Sequence, residues 1–293
     1  MKMNIDLVDG TWELFRHFFA VPPHADADGN EAGAIRGVLG TVLSILEGGA
    51  THIGVATDHV VESFRNDLYE GYKTGEGIDP DLFRQFLPLE DALEAMGITV
   101  WRMKAFEADD GLASAAALAW ADSRVEQIHL LTPDKDLAQC VQGDRVVMTD
   151  RRKGITLNES GVVEKFGVSP ASIPDYLALV GDTADGFPGL KGWGAKSTAT
   201  VLARWATVEA IPDDEALWEV KVRGAARLAE TLRGGRDDAA LFKDLATLRT
   251  NAPVGTDPEE WRWRGPTKSF AKIAAQLRAE NLIARATRLA ENL

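Results

Sequence analysis

Three short apolar runs, each leading to an aspartate, constrain the fold of this chain most. They are MNIDLV before Asp9, THIGVA before Asp58 and QIHLL before Asp134. Runs of this length read as buried strands. Helical patterns alternate with them at residues 12–19 (Trp12, Phe15, Phe18 and Phe19), 34–46, 81–96 and 107–121, with a further strand at 98–103. Short strands follow at 144–148 and 154–157, and residues 63–80 read as an exposed connector. Strands alternating with helices predict an α/β fold whose mostly parallel central sheet is covered on both faces. In such sheets ligands bind outside the carboxyl ends of the strands, so the three aspartates are expected in one cleft.

Six more acids fall in places that suit the same cleft. Glu107, Asp109 and Asp110 open the helix after the strand at 98–103, Asp136 follows Asp134 by two, and Asp182 and Asp185 lie three apart. Carboxylates gathered this closely repel one another unless a cation sits among them. All-oxygen ligands without cysteine or spaced histidines suit Mg²⁺ or Mn²⁺ rather than zinc. Each acid also has a structural reading: first-turn acids favour a helix dipole, strand-end aspartates begin turns, and Asp134 or Asp136 can cap a helix over residues 137–141. Their joint placement favours a metal site.

Residues 181–205, GDTADGFPGLKGWGAKSTATVLARW, join the last two acids to a glycine-rich loop running into a helix. Gly192 and Gly194 allow close backbone approach, and the new helix offers unpaired N–H groups. Lys191, Lys196 and Ser197 add cationic and hydroxyl donors, a set that suits a phosphodiester. The bland reading is a glycine-broken helical hairpin with solvated lysines. From about residue 169 the chain reads as helical, so a soft domain boundary is expected there.

Charge at first argues against nucleic acid, since the 293-residue chain carries a formal −13. Setting the nine acids aside leaves 36 against 32 bases, or −4, which is compatible with a local basic groove. The five histidines are scattered, and one cysteine, Cys140, excludes an internal disulfide and points to a reducing cytoplasm. Neither a membrane span nor a signal peptide is expected.

The motifs taken together resemble the bacterial 5′ nuclease family, the 5′→3′ exonuclease domain of DNA polymerase I and the related flap endonucleases. Leu7-Val8-Asp9-Gly10 is similar to its first metal aspartate, and Ser63-Phe64-Arg65 through Gly71-Tyr72-Lys73 to the segment after the second. Glu107-Ala108-Asp109-Asp110 matches its EADD, and Thr132-Pro133-Asp134-Lys135-Asp136 its T-x-D-K-D. Residues 181–194 resemble its helix–three-turn–helix signature, with Gly186 in place of the usual Asn, expected to loosen the loop, and Trp193 in place of a smaller residue.

The resemblance implies a PIN-like nuclease core over residues 1–168 with a helical arch around 72–105. A helix–three-turn–helix duplex-binding domain with C-terminal helices is expected over 169–293, and the chain reads as a stand-alone, monomeric member. It also implies two-metal phosphodiester hydrolysis of DNA at 5′ flaps, nicks, gaps or RNA–DNA primer junctions. One ion falls to Asp9, Asp58, Glu107, Asp109, Asp110 and Asp134, the other to Asp136, Asp182 and Asp185. Arg16, Arg65 and Lys73 would hold the scissile phosphate, Phe15 or Tyr72 would stack an unpaired base, and Gly192 and Gly194 would bind K⁺ through their carbonyls. Trp261 and Trp263 are read as core anchors, and Lys221, Arg223, Arg227, Arg233 and Arg236 as a basic helical surface. Two other classes compete: a DNA-structure binding protein that no longer cuts, and a PIN-like RNA-cleaving toxin, usually shorter and without the clamp.

Overall fold

The computed structural model describes residues 2–291. The chain forms two compact units, one of Met1–Val61, Gly75–Thr132 and Arg249–Leu293, the other of Glu62–Thr74 and Pro133–Leu248. The units therefore do not follow a single cut near residue 168.

The first unit is built on four parallel strands: β1 (Met3–Asp9), β2 (His52–Asp58), β3 (Thr99–Met103) and β4 (Val125–Leu131), in the order β3-β2-β1-β4. Ile5, Leu7, Ile53, Val55, Ile128 and Leu130 are fully or almost fully buried, as strands covered on both faces require. Helices Gly10–Ala20, Gly33–Glu47, Phe86–Ala95 and Ala108–Ala121 supply the cover. β1 and β2 run in register, Val8 opposite Val55 and Asp9 opposite Ala56, so Asp9 and Asp58 end neighbouring strands at the same edge.

The arch expected around residues 72–105 is corrected over most of its length. Helix Phe86–Ala95 buries Leu89, Ala92 and Leu93 in the core, and residues 99–103 are β3. The apolar spacing of that helix, with a strand behind it, fixes it to the sheet.

Residues from Arg249 onward belong to this unit, and the two tryptophans show why. Trp263 Nε1 donates to Met96 O at 2.9 Å, and Trp261 sets its ring edge-on to Trp101 with centroids 5.0 Å apart. Both are buried, as core anchors should be.

The second unit carries the antiparallel pair β5 (Val146–Asp150) and β6 (Ile155–Leu157) and is otherwise helical. Phe187 stacks on Phe242 at 5.7 Å, and Trp193 packs on the fully buried Trp218 at 5.7 Å. The expected connector at 63–80 is in part a short helix, Phe64–Leu68, begun by a reciprocal cap between Ser63 and Asn66. Arg65 and Tyr72 are buried there.

Candidate active site

In the first unit the acids sit where strands hand over to helices. Asp9 ends β1 and caps the following helix: Oδ1 accepts from Trp12 N at 2.8 Å, and Oδ2 from Thr132 Oγ1 at 3.0 Å. Asp58 ends β2, its Oδ1 accepting from Ala108 N at 2.8 Å while its own N–H donates to Thr11 Oγ1 at 2.8 Å. Glu107 caps helix Ala108–Ala121, and its N–H donates to Asp110 Oδ2 at 3.0 Å. Asp109 lies half-buried in the first turn. Asp110 is fully buried, and its Oδ1 accepts from Arg249 N at 2.8 Å. These acids thus tie strand ends to helix starts, with both oxygens of Asp110 accepting from backbone N–H groups.

Arg16 lies in the same unit, bound to Glu13 Oε2 and, through Nη2, to Thr41 Oγ1 at 3.2 Å. Phe15 packs against the core edge-on to Phe86, 6.0 Å between centroids, so its ring serves packing rather than a free stacking platform.

The second unit gathers a tighter cluster. Carboxylate oxygens of Asp136, Asp182 and Asp185 lie within 4.8 Å of one another. Local geometry delivers them. Asp134 caps a 3-10 helix, Lys135–Cys140, accepting from Asp136 N at 3.0 Å, which turns Asp136 inward. The loop after helix Ile173–Val180 closes through Asp182 N to Phe187 O at 2.8 Å, which presents Asp182 and Asp185 together.

Two lysines answer this charge: Lys73 Nζ stands 2.8 Å from Asp185 Oδ1, and Lys135 Nζ bonds Asp182 Oδ2. Lys135 was missed as a site residue; its position between Asp134 and Asp136 was the available signal. Burial pulls its ammonium pKa down, but Asp136, Asp182 and Asp134 outweigh that and hold it above the usual lysine value. Burial, then Asp134 and Asp185, push the Asp136 carboxyl well above the ordinary aspartate range. Asp136 Oδ1 is buried with no hydrogen-bond partner, and Lys135 Nζ is 3.9 Å away. An orphaned carboxylate oxygen beside two more is a donor set that fits a hard divalent cation.

Arg65 is braced elsewhere: Nε donates to Leu245 O at 2.7 Å and Nη2 to Thr247 O at 3.2 Å, at the end of helix Arg236–Ala246. A phosphate contact would have to share the side chain with these carbonyls. Tyr72 is buried beneath Lys73, whose Nζ lies 5.6 Å from the ring centroid, so the stacking role expected of it is withdrawn.

Gly186 corrects a further expectation. Its φ is +89°, and a Cβ there would stand 2.2 Å from Gly71 O. Glycine tightens the loop instead of loosening it. Gly186→Ala is expected to cost about 2 kcal/mol or more through left-handed strain and the backbone clash. Urea denaturation checks this; an unchanged midpoint would mean the loop does not lie against Gly71.

In the glycine loop, Gly192 has φ +90°, and Gly194 precedes helix Ala195–Trp205, its N–H donating to Ser197 Oγ at 3.2 Å and its carbonyl accepting from Ser197 Oγ at 2.9 Å. Trp193 Nε1 donates to Leu228 O at 3.2 Å and anchors the loop to helix Ala225–Gly234. Lys191, Lys196, Lys221, Arg223 and Arg227 are exposed, whereas Arg236 is tied to Asp213 and Arg233 to the Asp213 carbonyl.

Comparison with known proteins divides the chain along the sequence near residue 168, unlike the compact units. A 5′–3′ exonuclease N-terminal, resolvase-like domain matches residues 4–167, and the 5′–3′ exonuclease C-terminal SAM fold matches residues 168–269. The chain belongs to the 5′–3′ exonuclease family. It is 30% identical over 272 residues to a 5′–3′ exonuclease of Aquifex aeolicus, covering 92% of this chain and 90% of that one. It is 33% identical over 261 residues to DNA polymerase I of Pseudomonas aeruginosa, covering 86% of this chain but only 28% of the polymerase. The T5 5′-exonuclease with bound zinc shares the fold at TM-score 0.67 and 18% identity, over 98% of both chains. The Rad2 catalytic core with DNA substrate does so at 0.63 and 14%, over 98% of this chain and 92% of that one. Among the described residues no helix is long and apolar enough to cross a membrane.

Proposed function

We propose that this chain is a structure-specific 5′ nuclease that hydrolyses DNA phosphodiesters as a flap endonuclease and 5′→3′ exonuclease. The observation that carries the reading is the trio Asp136, Asp182 and Asp185 with its orphaned buried oxygen. These three are assigned to one divalent cation, Mg²⁺ or Mn²⁺. Asp9, Asp58, Glu107, Asp109, Asp110 and Asp134 are assigned to a second, Asp110 bracing the set. Bound cations supply Lewis acidity and charge neutralisation at the phosphate. Lys73 and Lys135, which hold the trio by ion pairs, are assigned to the phosphate once cations take over that charge. Arg16 and Arg65 are assigned to the scissile phosphate, Arg65 from a guanidinium braced on the Leu245 and Thr247 carbonyls.

Lys191, Gly192, Gly194, Lys196 and Ser197 are assigned to the duplex backbone, with K⁺ on the carbonyls of Gly192 and Gly194. Substrates are 5′ flaps, nicked or gapped duplexes and primer junctions, acted on by a monomer in the cytoplasm.

The expected result is Mg²⁺- or Mn²⁺-dependent cleavage of a labelled 5′-flap duplex near the single-strand junction, mapped alongside nicked, gapped and blunt duplexes. EDTA should abolish it. Flap binding in Ca²⁺ without cleavage in either metal would support a non-cutting DNA-binding protein. Preference for single-stranded RNA would support the toxin-like class.

A further inference from the structure

Glu90 is a carboxylate that the proposed chemistry does not use, and it is fully buried. It lies on helix Phe86–Ala95 and faces the end of β2. Its Oε1 accepts from Thr57 Oγ1 at 2.8 Å, its Oε2 lies 2.8 Å from His59 Nδ1, and Arg102 Nη1 stands 3.4 Å from Oε2. Arg102 is itself held by Asp91 and Glu94, each at 2.8 Å. Burying a carboxyl group among helices and strands is costly unless its polar atoms are partnered, so this group demands an account.

Its partners are the two residues that flank Asp58. Side chains alternate along a strand, so Thr57 lies on the face of β2 opposite Asp58, and Glu90 grips the strand end from behind. From the front, Asp58 Oδ1 accepts from Ala108 N at 2.8 Å, and its N–H is fixed to Thr11 Oγ1 at 2.8 Å. The chain leaves the sheet at His59, whose N–H donates to Met103 O at 2.9 Å, as does Val60 N at 3.2 Å, so backbone bonds tether the strand end while Glu90 adds side-chain partners on Thr57 and His59.

We propose that Glu90 is a positioning residue: it clamps Thr57 and His59 so that Asp58 meets a divalent cation in a fixed orientation. The inference rests on the assignment of Asp58 to a cation. Partners that orient a metal ligand without touching the metal typically govern about 10- to 100-fold in affinity.

The test uses the full chain and Mn²⁺ alone, titrated calorimetrically and then followed by flap cleavage against Mn²⁺ concentration. Glu90→Leu should weaken one class of Mn²⁺ site by about 10-fold or more and raise the Mn²⁺ needed for half-maximal rate to match. Binding at the other site and flap affinity in Ca²⁺ should stay as in wild type. Glu90→Gln can still accept from Thr57 and donate to His59 Nδ1, so it should restore Mn²⁺ affinity to within about threefold. Thr57→Val, which removes one hydroxyl at constant volume, should give a smaller loss and serves if Glu90→Leu fails to fold. A lowered melting temperature with unchanged Mn²⁺ affinity in Glu90→Leu, or in Thr57→Val where the former does not fold, overturns the proposal. A wild-type chain that binds no Mn²⁺ overturns both this inference and the nuclease reading, whereas Mn²⁺ binding unaltered in the variants overturns this inference alone.

Discussion

Asp136→Asn is expected to slow 5′-flap cleavage by about 10²- to 10³-fold, more than the loss of an orienting partner would. Without divalent metal, the same substitution should make the folded protein more stable. In the metal-free protein Asp136 is buried beside Asp182 and Asp185, with one oxygen unpaired and three carboxylates within 4.8 Å. An unsatisfied buried polar atom costs about 1–3 kcal/mol, and the neutral amide can donate to an adjacent carboxylate. Because burial and the neighbouring Asp134 and Asp185 raise the Asp136 pKa above its unfolded value, its stabilising contribution is full below the unfolded pKa. It is lost as pH rises through the folded pKa. Metal-free wild type should therefore lose stability across that interval, and the variant should not. Excess Mg²⁺ should reverse the order, because only wild type retains the third ligand. Thermal denaturation in EDTA and in Mg²⁺ over a pH series, together with flap cleavage, reads all of this. A variant less stable than wild type in EDTA would show that Asp136 has a structural partner rather than a cation to hold.

Strand ends and caps were legible because their signals are local. Apolar runs closing on Asp9 and Asp58 state both the strand and the site at which it stops, and two parallel neighbours in register bring those aspartates to one edge. The trio in the second unit was expected from the family resemblance; spacing alone said only that a tight turn can bring Asp182 and Asp185 to one side. Long-range closure was not legible. Nothing near Trp263 says that its indole will reach Met96, so the helical character after residue 169 suggested one continuous domain where the last segment joins the first unit. The setting of Arg65 was not legible for a related reason: it lies in a segment that reads as an exposed connector, but its guanidinium donates to carbonyls some 180 residues away. Gly186 misled because the obstacle, Gly71 O, lies on another segment. Glu90 carried no signal, since an acid on a helix face usually points to water; only the fold turns it onto Thr57 and His59.

Replacing Lys191 and Lys196 together with alanine is expected to weaken binding to every duplex sequence about equally. It should also flatten log affinity against log salt by up to about 1.8 units, near 0.9 for each lost phosphate contact. Both side chains are exposed on either side of Gly192 and Gly194. Neither forms an ion pair among the described residues, so their charge is available to a ligand and its removal costs the fold little. Gly194→Val separates backbone approach from charge. Gly194 has φ −123° and ψ 167°, an extended conformation open to any residue, and an added Cβ would meet no atom within 4 Å. The fold itself therefore does not require glycine there, and the substitution should cost no more than about 1 kcal/mol, from a poorer helix cap. If a phosphate docks on this helix start, valine should lower flap affinity by tenfold or more while leaving the salt slope unchanged, because no charge has gone. Flap binding in Ca²⁺ over a salt series, with melting curves for each variant, distinguishes the two effects. Wild-type affinity in a folded Gly194→Val protein, or a wild-type slope in the double lysine variant, would place the duplex contacts somewhere other than this loop.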